Sequence, residues 1–307
     1  MPYYTGAHVI VGVDLGGTKT HVVVETYGEV ILDVSVSTAS WQRGELLDDV
    51  ENSARLLQLF AQIDGSHTAS VVVGAHGLDS ERQAEEFRIR MEARHSGRVV
   101  AINDVELVAP AAGLDTAIAV IVGTGSKIVG RNSSNELVSA GGHGFLFNDP
   151  GSAPGLAREA VKSVLDAYDD GDVPDALGQN LMSHFGVSDI VALSCAFNGD
   201  ARLSTWAALG PLVFSSADEG SVIADSVIDC AARELARDVG RVHARGAAGS
   251  NVVCAGGVIT NQPRLYRALT RHIDDLDLGL SVSLLTVPPV VGAVALARKL
   301  HSKHYSH

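Results

Sequence analysis

Cysteine is scarce in this sequence: Cys195, Cys230 and Cys254 are the three among 307 residues, odd in number and widely spaced. With no CxxC pair they exclude a zinc ribbon, a cysteine-held cluster and a redox disulfide, and a reducing cytosol is the simplest compartment. Long apolar runs are missing too. No stretch approaches the ~18 residues of a membrane-spanning helix, and the first apolar run, broken at Asp14 and lacking a positive flank, does not read as a signal peptide. The expectation is a soluble, cytoplasmic chain without a membrane partner. Basic runs are absent as well: 23 Lys and Arg face 36 Asp and Glu, a formal charge of −13, which argues against a nucleic-acid partner. Small uncharged substrates, or ones brought in with Mg²⁺, suit such a surface. No low-complexity linker breaks the chain, yet its length exceeds the usual single core, so two domains with a cleft between them are expected.

What is present begins with residues 9–24, V-I-V-G-V-D-L-G-G-T-K-T-H-V-V-V. Two β-rich runs, 9–14 and 20–24, flank a glycine turn. A dinucleotide fingerprint needs a helix after its glycines, and a Walker loop needs Gly-Lys-Ser/Thr entering one; neither follows Gly17. A strand-turn-strand phosphate loop remains. Gly16 and Gly17 admit anionic oxygens to the backbone N–H groups, Thr18 and Thr20 add hydroxyl donors, and Asp14 would hold hydrated Mg²⁺. Gly-Gly is also a common two-residue hairpin turn, but a ligand-free hairpin has no need of the leading Asp.

Further along, the patterning predicts a strand at 30–36, a helix at 46–62, a strand at 70–73, a helix at 81–94 and a strand at 98–102. The opening device then returns: β runs at 116–122 and 127–131 enclose Gly123-Thr124-Gly125-Ser126, so the chain starts over as a second α/β lobe. Helices follow at 154–168 and 222–244, with a helix-rich middle through Cys195 and Trp206. A strand at 251–255, a Gly256-Gly257 turn, helices at 262–273 and 291–300, and a frayed tail from His301 complete the reading.

The second glycine turn can cradle another part of a polyphosphate, and Gly256-Gly257 can let a flat base lie on the backbone or serve close strand-to-helix packing. Asp104 follows a strand end, where it either accepts a proton from a substrate hydroxyl or caps the segment after it. Gly141-Gly142-His143-Gly144 precedes Asn148-Asp149-Pro150-Gly151-Ser152, with Ser152 as helix cap and Pro154 in the first turn. Asp149 and His143 can grip sugar hydroxyls, although a turn histidine is also ordinary surface. Trp41 either stacks on a sugar or fills a gap over the helix expected at Leu46. His76-Gly77 stand at a strand end.

As a set these motifs resemble the BadF/BadG/BcrA/BcrD ATPase family, and within it the N-acetylglucosamine kinases of the sugar kinase/heat-shock protein 70/actin superfamily, over almost the whole chain. The resemblance implies an α/β protein of two ribonuclease-H-like lobes with an interlobe ATP and sugar cleft, the actin-like ATPase fold. The N-terminal lobe would span 1–115, with a C-terminal helix in 291–307 returning to it, and the second lobe, bearing the adenosine site, 116–290. Asp14, Gly16, Gly17, Thr18, Lys19 and Thr20 would form the first phosphate motif, Gly123, Thr124, Gly125 and Ser126 the second, and Gly256 and Gly257 the adenosine motif. Asp104 becomes the base for the 6-hydroxyl of an amino sugar, Asp14 organises Mg²⁺ through water, and Trp41, His76, Gly77, Thr124, Gly142, His143 and Asp149 line the sugar pocket. A homodimer is the expected assembly.

The chain departs from that family at the sugar. Ala39-Ser40-Trp41 stands for Asn-His-Trp, His143 for a Trp, and Asp149-Pro150-Gly151 for Asp-Glu-Gly. Phosphoryl transfer is thus better marked than sugar identity, and glucosamine or another hexose stays open. An ATPase activator of a dehydratase would bridge an iron–sulfur cluster with cysteines, which are not so arranged here. A non-catalytic sugar sensor is the other alternative, and the pairing of Asp14 with Asp104 favours an enzyme.

Overall fold

The computed structural model describes residues 8–302. They form two compact units, the first from residues up to Asp115 together with those from Leu285 onward, the second spanning Thr116–Leu284. The chain re-enters the first unit at Leu285, ahead of the helix expected from 291.

In the first unit, β1 (Val9–Leu15), β2 (Lys19–Thr26) and β3 (Glu29–Ser37) make an antiparallel meander. The strands β4 (Ser70–Ala75) and β5 (Val99–Asn103) add in parallel, giving the order β3-β2-β1-β4-β5. Val9, Val11 and Val13 alternate into a core with Phe60, Phe87 and Met91, as the period of two requires. Helices α1 (Asn52–Gln58), α2 (Glu81–Glu92) and α3 (Val108–Ala111) belong to this unit.

The helix expected over 46–62 is reduced to the seven residues of α1. Asn52 explains the late start. Its buried carboxamide donates to the carbonyls of Arg43, Glu45 and Leu46 and accepts the Arg43 N–H at 2.9 Å, fixing the preceding segment as loop. Such a non-local anchor leaves no periodic signal.

The second unit repeats the topology. Strands β6 (Ile118–Val122), β7 (Ser126–Arg131) and β8 (Leu137–Gly141) are antiparallel, and β9 (Asn251–Ala255) and β10 (Ser281–Leu284) extend in parallel from β6. The resulting order, β10-β9-β6-β7-β8, is that of the first sheet; both follow the ribonuclease-H-like plan. Its helices are α4 (Ala153–Asp169), α5 (Ala176–Phe185), α6 (Ile190–Gly199), α7 (Leu203–Ala207), α8 (Gly210–Asp218), α9 (Val222–Ala244), α10 (Gly257–Asn261) and α11 (Pro263–Asp274). Side-chain caps set several of their starts: Ser152 accepts the Gly155 N–H, Ser221 that of Ala224, and Asp189 that of Ala192.

The last helix, α12 (Val290–Ser302), packs on β1 and β4 within the first unit. Close approach needs glycine on both sides: a Cβ on Gly12 would lie 2.6 Å from the Val294 backbone N, and one on Gly292 2.1 Å from the Leu107 carbonyl oxygen. Arg298 adds a two-pronged bond to the buried Glu25 carboxylate of β2, with Nε 2.8 Å from Oε2. His301, expected to begin a frayed tail, instead sits in this helix with its Nε2 2.7 Å from His8 Nδ1; residues 303–307 lie outside the described ones. No helix among the described residues is long and apolar enough to cross a membrane.

Candidate functional site

In the first unit the register places Leu15, Ala75 and Asn103 side by side at the carboxyl ends of three neighbouring parallel strands. Gly16, His76 and Asp104 follow them immediately. Ligands of α/β sheets are met at such strand ends, where backbone groups and side chains emerge together. The first loop closes with the Gly16 N–H on the Lys19 carbonyl at 2.9 Å, and Gly17, Thr18 and Lys19 are exposed. His76 stands beside it, its Cδ2 3.8 Å from where a Gly17 Cβ would be, and Gly77 takes a left-handed φ of +86°. A cavity of about 230 Å³ is lined by Asp14, Gly16, Thr18, Lys19, His21, Pro288 and Pro289.

The Asp14 carboxyl is pushed up to about 6, chiefly by burial and next by the negative charge of Asp104, against the opposing influence of His21 and Lys19. A cation among these carboxylate oxygens would relieve both burial and repulsion, which is the hard-oxygen donor chemistry that Mg²⁺ takes. His21 went unread in the sequence. It is the cross-strand partner of Asp14, and its Nε2 lies 2.7 Å from Asp33 Oδ1. Counting residues back from the glycine turn along both strands would have found it.

Of the two sequence readings of Asp104, the cap is shared with the residue before it, although Asp104 Oδ1 itself accepts the Val105 N–H at 3.0 Å. Asn103 caps the short 3₁₀ turn Asp104–Leu107, accepting the Val105 N–H while Glu106 accepts the Asn103 N–H. Asn103 also donates to the Leu78 carbonyl at 3.1 Å and to Asp79 Oδ1 at 3.3 Å, tying the loop after His76 to the end of β5. Asp104, half-buried, is the first residue of the turn.

Two other sequence-predicted residues lie elsewhere. Thr20, expected as a phosphate donor, is wholly buried, and its hydroxyl bonds Thr38 Oγ1 at 2.9 Å and the Trp41 indole N–H at 3.0 Å. Trp41 is only 5% exposed and packs in the core with Leu46, Leu56 and Phe60. It fills the gap over this region, and its ring is not presented to a sugar.

In the second unit the loop Gly123-Thr124-Gly125 joins β6 to β7, with the Gly123 N–H on the Gly125 carbonyl at 2.8 Å. The Gly123 carbonyl accepts the N–H of Ala153, the first residue of α4, at 2.9 Å. Asp149, 5% exposed, accepts the Gly144 N–H at 3.1 Å. Burial raises its pKa, while the N–H groups of Gly144 and Ser126 and the charges of Arg158 and His143 lower it. The same carboxylate sits against the loop, 3.2 Å from where a Gly125 Cβ would be. Ser126 Oγ is buried with no hydrogen-bond partner among the described residues. His143, Gly142 and Thr124 are exposed.

Gly256 joins this group. A Cβ there would lie 2.5 Å from the Val122 carbonyl oxygen, and its φ is +106°, so only glycine lets the end of β9 run this close to β6. Gly257 opens α10, its N–H 3.6 Å from the Cβ position of Gly123. The Gly123 to Ser126 loop, the Gly256-Gly257 turn and Asp149 are therefore one cluster within one unit.

Residues 11–297 match the BadF/BadG/BcrA/BcrD ATPase family. An N-acetylmuramic acid/N-acetylglucosamine kinase of Clostridium acetobutylicum is 26% identical over 313 aligned residues, 94% of this chain and 98% of that protein. The crystal structure of a candidate N-acetylglucosamine kinase from Chromobacterium violaceum has a TM-score of 0.69 at 22% identity, covering 95% of this chain and 99% of that one. A ROK family glucokinase from Streptomyces griseus, solved with glucose and AMPPNP, has a TM-score of 0.56 at 18% identity with the same two coverages. These likenesses show the shared actin-like ATPase fold. Matched from its first strand into its last helix, this chain belongs to the BadF/BadG/BcrA/BcrD ATPase family.

Proposed function

We propose that the protein is an ATP-dependent carbohydrate kinase that transfers the γ-phosphoryl group to the 6-hydroxyl of an amino sugar, N-acetylglucosamine first. The observation that carries this reading is the placement of Asp14 and Asp104 at the carboxyl ends of β1 and β5, the parallel strands on either side of β4, with the charge of Asp104 felt at Asp14. A carboxylate at that point suits a base. Asp104 accepts the hydroxyl proton as the sugar oxygen bonds to the γ-phosphorus and the bond from that phosphorus to the ADP oxygen breaks. Mg²⁺, held by Asp14 through water, would neutralise charge on the phosphates.

The first loop of unit one and Gly123 to Ser126 of unit two would bind phosphate oxygens through backbone N–H groups. The orphaned Ser126 hydroxyl suits a ligand oxygen. Gly256 and Gly257 would take the adenine. His76, Gly77, Thr124, Gly142, His143 and Asp149 are assigned to the sugar, while Trp41 leaves that set. The relative from Clostridium, named for N-acetylmuramic acid as well as N-acetylglucosamine, adds the lactyl ether to the candidate substrates. A homodimer in the cytoplasm completes the reading.

ADP release with Mg-ATP tests it across N-acetylglucosamine, N-acetylmuramic acid, glucosamine, N-acetylmannosamine and glucose, beside a no-sugar control. Sugar-dependent release supports the kinase and ranks its substrates. Equal release without sugar would replace it with an ATPase reading, and binding without turnover with a sensor.

A further inference from the structure

Trp41, Thr20 and Thr38 form a hydrogen-bonded chain whose proton directions are determined. An indole N–H can only donate, so Thr20 Oγ1 accepts from Trp41 Nε1 at 3.0 Å. At the other end Thr38 Oγ1 gives its one proton to the Gly16 carbonyl at 2.8 Å. The Thr20 proton therefore goes to Thr38 Oγ1 at 2.9 Å. Each hydroxyl donates once and accepts once, and the sequence of donors runs one way, from Trp41 through Thr20 and Thr38 to the first glycine of the loop.

All three residues are buried, Trp41 the most exposed at 5%. In so dry a setting a satisfied chain is strengthened by mutual polarisation, and a missing member leaves its neighbour unpaired at full cost. Thr38 grips the loop a second time, its backbone N–H donating to the Thr18 carbonyl at 3.0 Å, while Gly16 N–H closes on the Lys19 carbonyl. Three carbonyls, of Gly16, Thr18 and Lys19, are thus turned into the fold. The N–H groups of Gly17 and Thr18 take no backbone acceptor among the described residues.

We infer that Trp41, Thr20 and Thr38 are positioning residues for the first phosphate loop: their one-way relay fixes the Gly16 carbonyl and thereby holds the Gly17 and Thr18 N–H groups ready for phosphate oxygens. This rests on reading that loop as a nucleotide site. It gives Trp41 a role in place of sugar stacking, and explains why a tryptophan from beyond β3 reaches back to β2.

The test is AMPPNP affinity with Mg²⁺, measured calorimetrically without sugar, for wild type, Thr38→Val, Thr38→Ser and Trp41→Phe, with Tm recorded for each. Thr38→Val is expected to weaken binding about tenfold, and Trp41→Phe, which keeps the packing and removes one N–H two links away, roughly threefold. Thr38→Ser restores the hydroxyl and should bind within about twofold of wild type. In turnover assays the loss should fall on KM for ATP rather than on kcat. Variants that lower Tm yet bind AMPPNP as wild type does would overturn the relay's role, as would failure of Thr38→Ser to rescue. If Thr38→Val does not fold, Trp41→Phe decides between the same outcomes. Wild type that binds no AMPPNP overturns the loop reading and the relay together, whereas binding unaffected by every variant overturns the relay alone.

Discussion

The Asn103 backbone N–H donates to Glu106 Oε1 at 3.2 Å while the Asn103 side-chain oxygen accepts the Val105 N–H at 3.2 Å. The turn after β5 is capped by the residue before Asp104. Asp104 Oδ1 accepts the same Val105 N–H at 3.0 Å, a bond that an Asn side chain in its place can keep.

Asp104→Asn should therefore separate function from folding. Loss of a general base lowers turnover about 10²–10⁴-fold, while AMPPNP affinity and Tm stay near wild type. Steady-state kinetics beside thermal unfolding check this, and turnover within a factor of a few of wild type would remove Asp104 from the base role.

Asn103→Ala should do the opposite first. It deletes the cap and the bonds to Leu78 and Asp79, so stability falls by about 1–3 kcal/mol in denaturant titration. Some activity should persist at low temperature, because Asp104 keeps its carboxylate.

Asp14 sets a pH dependence whose sign follows from its raised value. The unfolded chain ionises near 3.8 and the folded one at about 6, so the native state binds the proton more tightly. Stability conferred by that proton is present below the unfolded value and is lost as pH rises through the folded one. Asp14→Asn removes the cost of the buried charge. Without metal or nucleotide it should be more stable than wild type by roughly 1–3 kcal/mol at pH 7–8, with the difference gone near pH 4. Mg²⁺-dependent nucleotide affinity in wild type should weaken as pH falls through 6, since the protonated carboxyl no longer attracts a cation. Thermal unfolding of both proteins across pH, and AMPPNP titrations at pH 5 and 7.5, read the two effects.

Gly256→Ala puts a Cβ 2.5 Å from a backbone oxygen of β6 at a φ of +106°. Backbone cannot yield as a flexible side chain can. The variant should lose about 2 kcal/mol or more and bind AMPPNP more weakly even where folded. Wild-type affinity in a folded Gly256→Ala would detach this turn from the adenosine site.

Much of this architecture was legible because its signals are local. Both glycine hairpins carry their pattern within about a dozen and a half residues, and α9 runs over 222–244 as its repeat of Ala224, Val227, Ile228, Ala231 and Leu235 requires. The strand at 251–255 coincides with β9. The misses are contacts across the sequence. Asn52 holds a loop six to nine residues upstream, Thr38 and Trp41 claim the hydroxyl of Thr20, and His21 meets Asp14 only through strand register. The short strands β8 and β10, of five and four residues, take their identity from neighbours in the sheet. Asn103 and Asp104 are both good caps by type, and composition alone does not choose between adjacent residues.

Transfer of phosphate to a sugar oxygen is read most directly by ³¹P NMR of a reaction containing the protein, Mg-ATP and N-acetylglucosamine. A new phosphomonoester signal coupled to the C6 protons is expected, growing in step with ADP and absent with Asp104→Asn. ADP accompanied by inorganic phosphate, with the sugar unchanged, would contradict it.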